Sequence, residues 1–126
     1  MTSNNGQPSK PRVLVVDDER VIADTLATIL NQNGFEASAV YTGAEAVARA
    51  RTSRPDLVIS DVIMQDMNGI EAAIRIRQNL PGCKILLFSG QAATADLLEK
   101  ARAQGHEFEI LAKPVHPQDL LAKLRT

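Results

Sequence analysis

The strongest constraint on the fold is the alternation of five short apolar runs with stretches of helical periodicity. The runs occupy residues 12–16, 35–41, 57–60, 84–88 and 108–112. Four of them are almost continuous in Val, Ile, Leu and Phe, which is typical of strands covered on both faces of a parallel sheet. The second run alternates apolar with polar or small residues, which predicts an edge strand. The chain is therefore predicted to form an α/β sheet.

A helical pattern fills each interval after a run. Thr42 followed by Glu45 has the form of a capping box, and Asn68 is placed to begin the third helix. Gly34 is placed to end the first helix, and Pro117 suits the first position of the fifth. The predicted apolar stripes are Ile22, Leu26, Ile29 and Leu30; Ala46, Val47 and Ala50; Ile70, Ala73, Ile76 and Leu80; Leu97, Leu98 and Ala101; and Leu120, Leu121 and Leu124.

This β-α order, repeated five times, predicts one doubly wound domain. Crossovers between parallel strands are right-handed, so helices must cover both faces of the sheet. We expect the domain to span residues 11–126 with strand order 2-1-3-4-5. Residues 1–10, rich in Ser, Asn, Gly, Gln and Pro, are expected to form a disordered tail. Because ligands bind beyond the carboxyl ends of such strands, the residues directly after each run are the candidate site.

Composition argues against several classes of function. The 44% apolar and 23% charged residues are ordinary for a soluble globular protein. A net charge of −1 and the lack of a basic run argue against direct nucleic-acid binding. No apolar stretch approaches the roughly 20 residues of a membrane span. The single cysteine, Cys83, cannot form an internal disulfide, which fits a reducing, cytoplasmic setting.

Acidic and basic side chains follow the predicted strands. Asp17 and Asp18 follow the first run, Asp61 the third, Ser89 the fourth and Lys113 the fifth. If strands 1 and 3 are neighbours, the three carboxylates converge, and ionised carboxylates in one crevice repel each other. Three negative charges and the one positive charge of the lysine leave a deficit of two, which a divalent cation would cancel. Oxygen ligands favour a hard ion, so we expect Mg²⁺ (or Mn²⁺).

Each of these residues then has an expected chemical role. Asp61 is a carboxylate nucleophile able to form an acyl phosphate. Lys113 would supply positive charge to a phosphate oxygen, and the hydroxyl of Ser89 would donate to another and draw its loop inward. The expected metal ligands are the carboxylates of Asp17, Asp18 and Asp61 and the backbone carbonyl of Ile63.

Four motifs stand at the predicted strand ends: residues 13–19 (VLVVDDE), 61–69 (DVIMQDMNG), 87–90 (LFSG) and 112–114 (AKP). With these motifs, in this order and over nearly its whole length, the chain resembles the receiver domains of two-component response regulators, of the chemotaxis-receiver type. The resemblance implies a flavodoxin-like fold and a phosphohistidine donor on a sensor histidine kinase or phosphotransfer protein. The roles that it implies are Asp61 as phosphoacceptor, Asp17 and Asp18 as the acid pair, Ser89 as the switch hydroxyl and Lys113 as the phosphate-contacting lysine.

Several positions depart from the usual receiver pattern. Gln65 stands where many receivers have proline, so the loop before the third helix should be less restricted in φ. Asp66 in that loop is expected to be a turn residue. Ile110 stands where receivers commonly have Tyr or Phe, and Phe108 shares its strand parity but lies further from the site. The predicted switch positions are therefore Ser89, Ile110 and Phe108, the last as a partial substitute for the missing ring.

Two further residues should set how long a phosphoryl group survives. Hydrolysis needs an in-line water, which the side chains two residues past Asp61 and Ser89 can guide or block. These are Ile63, which offers no hydrogen bond to a water, and Gln91, which does. We expect a lifetime at the longer end for the family.

Three other functions compete with this interpretation. A flavin-binding protein would need a phosphate-binding loop after the first strand, where Asp17 and Asp18 would repel phosphate. An aspartyl-nucleophile phosphatase would need an acid/base aspartate two residues after Asp61, where Ile63 stands. A degenerate receiver that acts only as a protein-interaction module is the alternative that remains open.

The expected downstream partner is a protein target or a detached output domain. The chain is either a free-standing receiver or the receiver of a longer protein. We expect it to signal through the face formed by helix 4, strand 5 and helix 5, about residues 94–124, because Ser89 and Lys113 border that face.

Overall fold

A computed structural model describes residues 10–90, 94–113 and 116–125. The strands are β1 Arg12–Val16, β2 Glu36–Val40, β3 Leu57–Asp61, β4 Lys84–Ser89 and β5 Glu109–Ala112, and the helices are α1 Arg20–Asn31, α2 Gly43–Ser53, α3 Gly69–Asn79, α4 Thr94–Ala103 and α5 Pro117–Leu124. All strand pairs are parallel and their order is β2-β1-β3-β4-β5. The predicted doubly wound fold is confirmed. The predicted disordered tail falls almost entirely outside the described residues.

Local signals set the helix ends where they were predicted. Thr42 caps α2 by accepting the N–H of Glu45 at 3.0 Å, and Asn68 caps α3 by accepting the N–H of Glu71 at 2.8 Å. Gly34 adopts φ +93° just past α1, a backbone conformation that favours glycine. These short-range interactions fix the start and end of the helices that carry the loops of the site.

The buried stripe of α1 differs from the predicted one. Its fully buried residues are Ala23, Leu26, Ala27 and Leu30. Ile22 was predicted to face the core and is 37% exposed, so that prediction is wrong. Ala23 and Ala27 occupy the inner face beside Leu26 and Leu30, and Ile22, one residue before Ala23, lies outside that stripe. The apolar side chains predicted for α2, α3, α4 and α5 pack against the core or are buried in it.

The core forms two clusters, one on each face of the sheet. Leu14 and Val16 of β1 face α2, α3 and α4, whereas Val13 and Val15 face α1 and α5. Every residue of β3 is buried, and β2 is a partly exposed edge strand as predicted. The fifth run was predicted to be covered on both faces, but β5 is half-buried at most because it is the other edge of the sheet. No helix in the described part of the chain could cross a membrane.

Candidate metal centre at the carboxyl edge of the sheet

The carboxyl ends of the strands bring the predicted site residues to one edge of the sheet. Asp17 directly follows β1, and Asp61 is the last residue of the adjacent strand β3. In the register of the sheet, Ser89 lies one residue past the β4 partner of Asp61. Lys113 lies one residue past the β5 partner of Ser89, and its N–H donates to the Ser89 carbonyl at 3.1 Å. Strand order therefore brings the predicted nucleophile Asp61, the acid Asp17 and Lys113 to the same edge.

Three carboxylates converge at this edge. One oxygen from each of Asp17, Asp18 and Asp61 lies within 4.8 Å of the other two. Asp17 is fully buried and Asp61 is 6% exposed, while Asp18 is the most exposed of the three acids. The cluster therefore has two buried acids at its base and an accessible acid at its mouth.

The buried carboxylate of Asp17 has a hydrogen-bond donor for only one of its two oxygens among the described residues. Its Oδ1 accepts the N–H of Glu19 at 2.9 Å, but its Oδ2 is buried without a hydrogen-bond partner among the described residues. Burial raises the pKa of Asp17; the Glu19 N–H opposes that shift, the charge of Asp61 adds to it and the charge of Lys113 opposes it. A buried carboxylate oxygen without a partner is costly, and a bound cation would satisfy it.

Lys113 forms an ion pair with Asp61. Its Nζ lies 2.7 Å from Asp61 Oδ2, and its side chain is one-third exposed. Burial lowers the pKa of Lys113, but its hydrogen bond to Asp61 and the charges of Asp61 and Asp17 outweigh burial, so the net pKa is raised. Gly90 makes room for the lysine, since a Cβ at that position would lie 2.9 Å from the Lys113 Cβ.

The segment after Asp61 stays close to the cluster. The other oxygen of Asp61, Oδ1, accepts the N–H of Ile63 at 3.3 Å. The N–H of Gly69 donates to the Val62 carbonyl at 2.7 Å, and a Cβ on Gly69 would overlap the backbone carbonyl of Asp61. The N–H of Gln65 donates to Asp18 Oδ2 at 3.3 Å. The loop is therefore tied to two of the three acids.

Asp66 has a role that the sequence did not indicate. It was expected to be a turn residue, but its two oxygens accept the N–H groups of Gly43 and Ala44, each at 2.9 Å, at the start of α2. Burial raises the pKa of Asp66, but backbone N–H donors, those of Gly43 and Ala44 first, outweigh burial and the net pKa is lowered. The partners lie more than 20 residues earlier in the chain, so no local pattern could reveal this contact.

The residues predicted to set the phosphoryl lifetime or to act in switching have different environments where the structure describes them. Ile63 is 45% exposed beside Asp61, whereas Gln91 lies outside the described residues. Ile110 packs against the core cluster on the α2, α3 and α4 face. Phe108 lies before β5, beneath the Arg77 guanidinium at 4.4 Å from its ring centre. At strand spacing Phe108 is about 16 Å from Lys113, so the structure does not bring its ring to the acidic cluster.

The donor chemistry of the cluster fits a hard divalent cation. All candidate ligands are oxygens, two of the acids are buried, and Asp17 Oδ2 has no other partner among the described residues. A groove of about 690 Å³ lies elsewhere, between α2, α3 and α4, and its lining includes none of the predicted site residues that the structure describes. In the described part of the chain, the carboxylate cluster and Lys113 lie at the sheet edge and not in that groove.

Comparisons with known proteins agree with this geometry. Residues 13–125 match the family model of the response regulator receiver domain. The chemotaxis protein CheY of Thermotoga maritima is 33% identical over 90% of this chain and 93% of its own. The DNA-binding response regulator MtrA of Mycobacterium tuberculosis is 30% identical over 92% of this chain, which spans only 50% of MtrA. The chain thus spans about half the length of several curated relatives that it matches.

Solved structures give the same result. A CheY-like response regulator receiver domain protein from Methanospirillum hungatei superposes with a TM-score of 0.83 at 29% identity, over 93% of this chain and 92% of that one. CheY4 of Vibrio cholerae superposes with a TM-score of 0.78 at 31% identity, over 92% and 97%. The chain belongs to the response regulator receiver domain family.

Proposed function

We propose that the chain is a phosphoacceptor: a phosphohistidine donor transfers its phosphoryl group to Asp61 in a Mg²⁺-dependent reaction, and the modification switches a protein-interaction face. Receiver domains are signalling switches of two-component systems, which sets the class of function. The contact of 2.7 Å between Lys113 and Asp61, inside a cluster of three carboxylates, carries the proposal. A receiver that acted only as an interaction module would not need this ion pair among three carboxylates.

The proposed reaction moves one phosphoryl group. An oxygen of Asp61 forms the new O–P bond while the N–P bond of the donor breaks, and the donor imidazole keeps the electron pair of that bond. Lys113 offsets negative charge beside the acceptor oxygen. Asp61 itself is nearly buried, and Ile63 presents an apolar side chain to a water that approaches the product. A long phosphoryl lifetime follows from that environment, with Gln91 as the other tuning position.

The ligands proposed for the metal are Asp17, Asp18, Asp61 and the backbone carbonyl of Ile63. The unpartnered Oδ2 of Asp17 and the proximity of the three carboxylates support this choice. When bound, Mg²⁺ (or Mn²⁺) supplies positive charge that stabilises the transferring phosphoryl group. The residues themselves orient Asp61, because Lys113 Nζ donates to one of its oxygens and the Ile63 N–H donates to the other.

The proposed output begins at Ser89, whose hydroxyl would donate to the phosphoryl group and carry its loop inward. Residues 94–124, with Ile110 and Phe108 among them, would form the face that a downstream protein recognises. The donor would be a sensor histidine kinase or a phosphotransfer protein, in the cytoplasm. Residues 11–126 would form the receiver and residues 1–10 a tail.

The test is phosphorylation by a small donor. The protein is incubated with acetyl phosphate and Mg²⁺ and its intact mass is measured, with Asp61→Asn as the inactive variant. Asp56→Asn is the matched control, because Asp56 lies just before β3 and its Oδ2 accepts the Arg12 N–H at 2.8 Å, which an amide oxygen can also do. We expect one added phosphoryl group in the wild type and in Asp56→Asn, and none in Asp61→Asn. No gain in any of the three would favour the interaction module.

A further inference from the structure

The loop between β3 and α3, residues 62–68, is fastened even though it lacks the proline of many receivers. Gln65 occupies that position, and its backbone N–H donates to Asp18 Oδ2 at 3.3 Å. Proline has no N–H and could not make this bond. The restraint of the loop must therefore come from interactions and not from a fixed φ angle.

Asp66 provides two more of these interactions. Its two oxygens reach the N–H groups of Gly43 and Ala44 at 2.9 Å each. The first N–H groups of a helix have no partner within the helix, and the helix dipole favours an anion beside them. A Cβ at Gly43 would overlap the side chain of Met67, so the close approach of α2 to the loop depends on glycine there.

This contact closes a ring of bonds around the acidic cluster. On one side Gln65, the residue before Asp66, donates its backbone N–H to Asp18. On the other side α2 follows β2, and the last carbonyl of β2, at Val40, accepts the Asp17 N–H at 3.2 Å. Asp66 therefore joins the loop that carries Ile63 to the strand end that holds Asp17.

We infer that Asp66 is a positioning residue for the metal centre: by fastening the loop to the start of α2 it holds the Gln65 N–H on Asp18 and the Ile63 backbone beside Asp61. The inference rests on the proposed function, since it concerns the same metal site. Groups that orient metal ligands from outside commonly change metal affinity by about 10- to 100-fold when removed. Asp66 acts through one more bond, so the lower end of that range is expected.

The test compares Mg²⁺ affinity in two variants that both weaken the start of α2. Asp66→Ala releases the loop. Glu45→Ala is the matched control, because Glu45 Oε1 accepts the Tyr41 N–H at 3.3 Å at the same helix start and lies outside the loop. Isothermal titration calorimetry with Mg²⁺ alone measures the dissociation constant, and hydrogen exchange of the metal-free protein follows the Ile63 and Gln65 amides.

We expect Asp66→Ala to weaken Mg²⁺ binding about tenfold and to speed exchange of both amides, with Asp66→Asn intermediate because one oxygen remains. Glu45→Ala should leave both readouts unchanged. Equal weakening in the two variants, or an unchanged dissociation constant in Asp66→Ala, would overturn the inference while the wild type still binds Mg²⁺. A wild type that binds no Mg²⁺ would instead overturn the proposed function, and the inference with it.

Discussion

Lys113 Nζ lies 2.7 Å from Asp61 Oδ2, which joins the ends of β5 and β3 across the strand between them. The pair is shielded unevenly: Asp61 is almost fully buried, whereas the lysine reaches in from a partly exposed position. Because Asp17 lies behind the pair, Lys113 also offsets charge from a second acid. The lysine is thus placed to stabilise the carboxylates as they stand and also during the proposed phosphoryl transfer.

Replacing Lys113 should slow phosphorylation far more than it disturbs the fold. Lys113→Met keeps the length of the side chain and removes the charge, and we expect the rate with acetyl phosphate to fall by about 10²-fold, as for the loss of one stabilising donor. The rate is followed by intact mass at a series of times. Lys84→Met is the control, since Lys84 pairs at 3.7 Å with Glu109 on the surface. A similar loss in the control would argue against a specific role.

Removing the charge of Asp17 should stabilise the protein when no metal is present. The pKa of Asp17 is raised in the folded state, so its ionised form destabilises the fold. That cost is absent below the unfolded pKa of 3.8 and grows as the pH rises through the higher folded pKa. We expect Asp17→Asn to raise the free energy of unfolding at pH 7 by about 1–3 kcal/mol, the usual cost of a buried polar group without a partner, and to change it little near pH 4.

The measurement is urea unfolding in EDTA at the two pH values, repeated with Mg²⁺. The cation should stabilise the wild type and have much less effect on Asp17→Asn. Asp56→Asn, at the exposed end of the same sheet, should show no gain at pH 7. Stabilisation that is equal at both pH values would contradict the electrostatic explanation.

Much of this architecture follows from sequence because its causes are local or depend only on strand order. The caps at Thr42 and Asn68 involve residues three apart, and the convergence on Asp61 needs only the parallel arrangement of β1 and β3. The exposure of Ile22 was missed because periodicity does not say which of two adjacent apolar rows faces the sheet.

The contact between Asp66 and the start of α2 shows a different limit of the sequence. It joins segments more than 20 residues apart, and an aspartate in a polar loop is equally typical of a turn. The roles of Ser89, Ile110 and Phe108 in switching also remain predictions, because they concern a change between two states.

Cys83 should be inert in the folded protein. Its side chain is buried, and burial, with the nearby charge of Asp56, raises the pKa of the thiol to about 11 although Arg77 opposes the shift. The thiolate is the reactive form, so almost none is present at pH 8. We expect labelling by an aromatic disulfide reagent to be at least about 100-fold slower in the native state than in concentrated urea. Rapid native labelling would show that the strand end at Lys84 opens readily.

Ile63 should prolong the phosphorylated state. It lies two residues past Asp61, is 45% exposed, and presents only carbon atoms to a water that approaches the acyl phosphate. Ile63→Asn adds a donor and an acceptor at that position, so we expect severalfold faster decay of the phosphorylated protein, followed by loss of the added mass after the small donor is removed. Val21→Asn, a similar change at a residue 79% exposed on α1, should leave the decay unchanged. If Ile63→Asn does not accelerate decay, water access is controlled by another side chain, and Gln91 becomes the position to vary next.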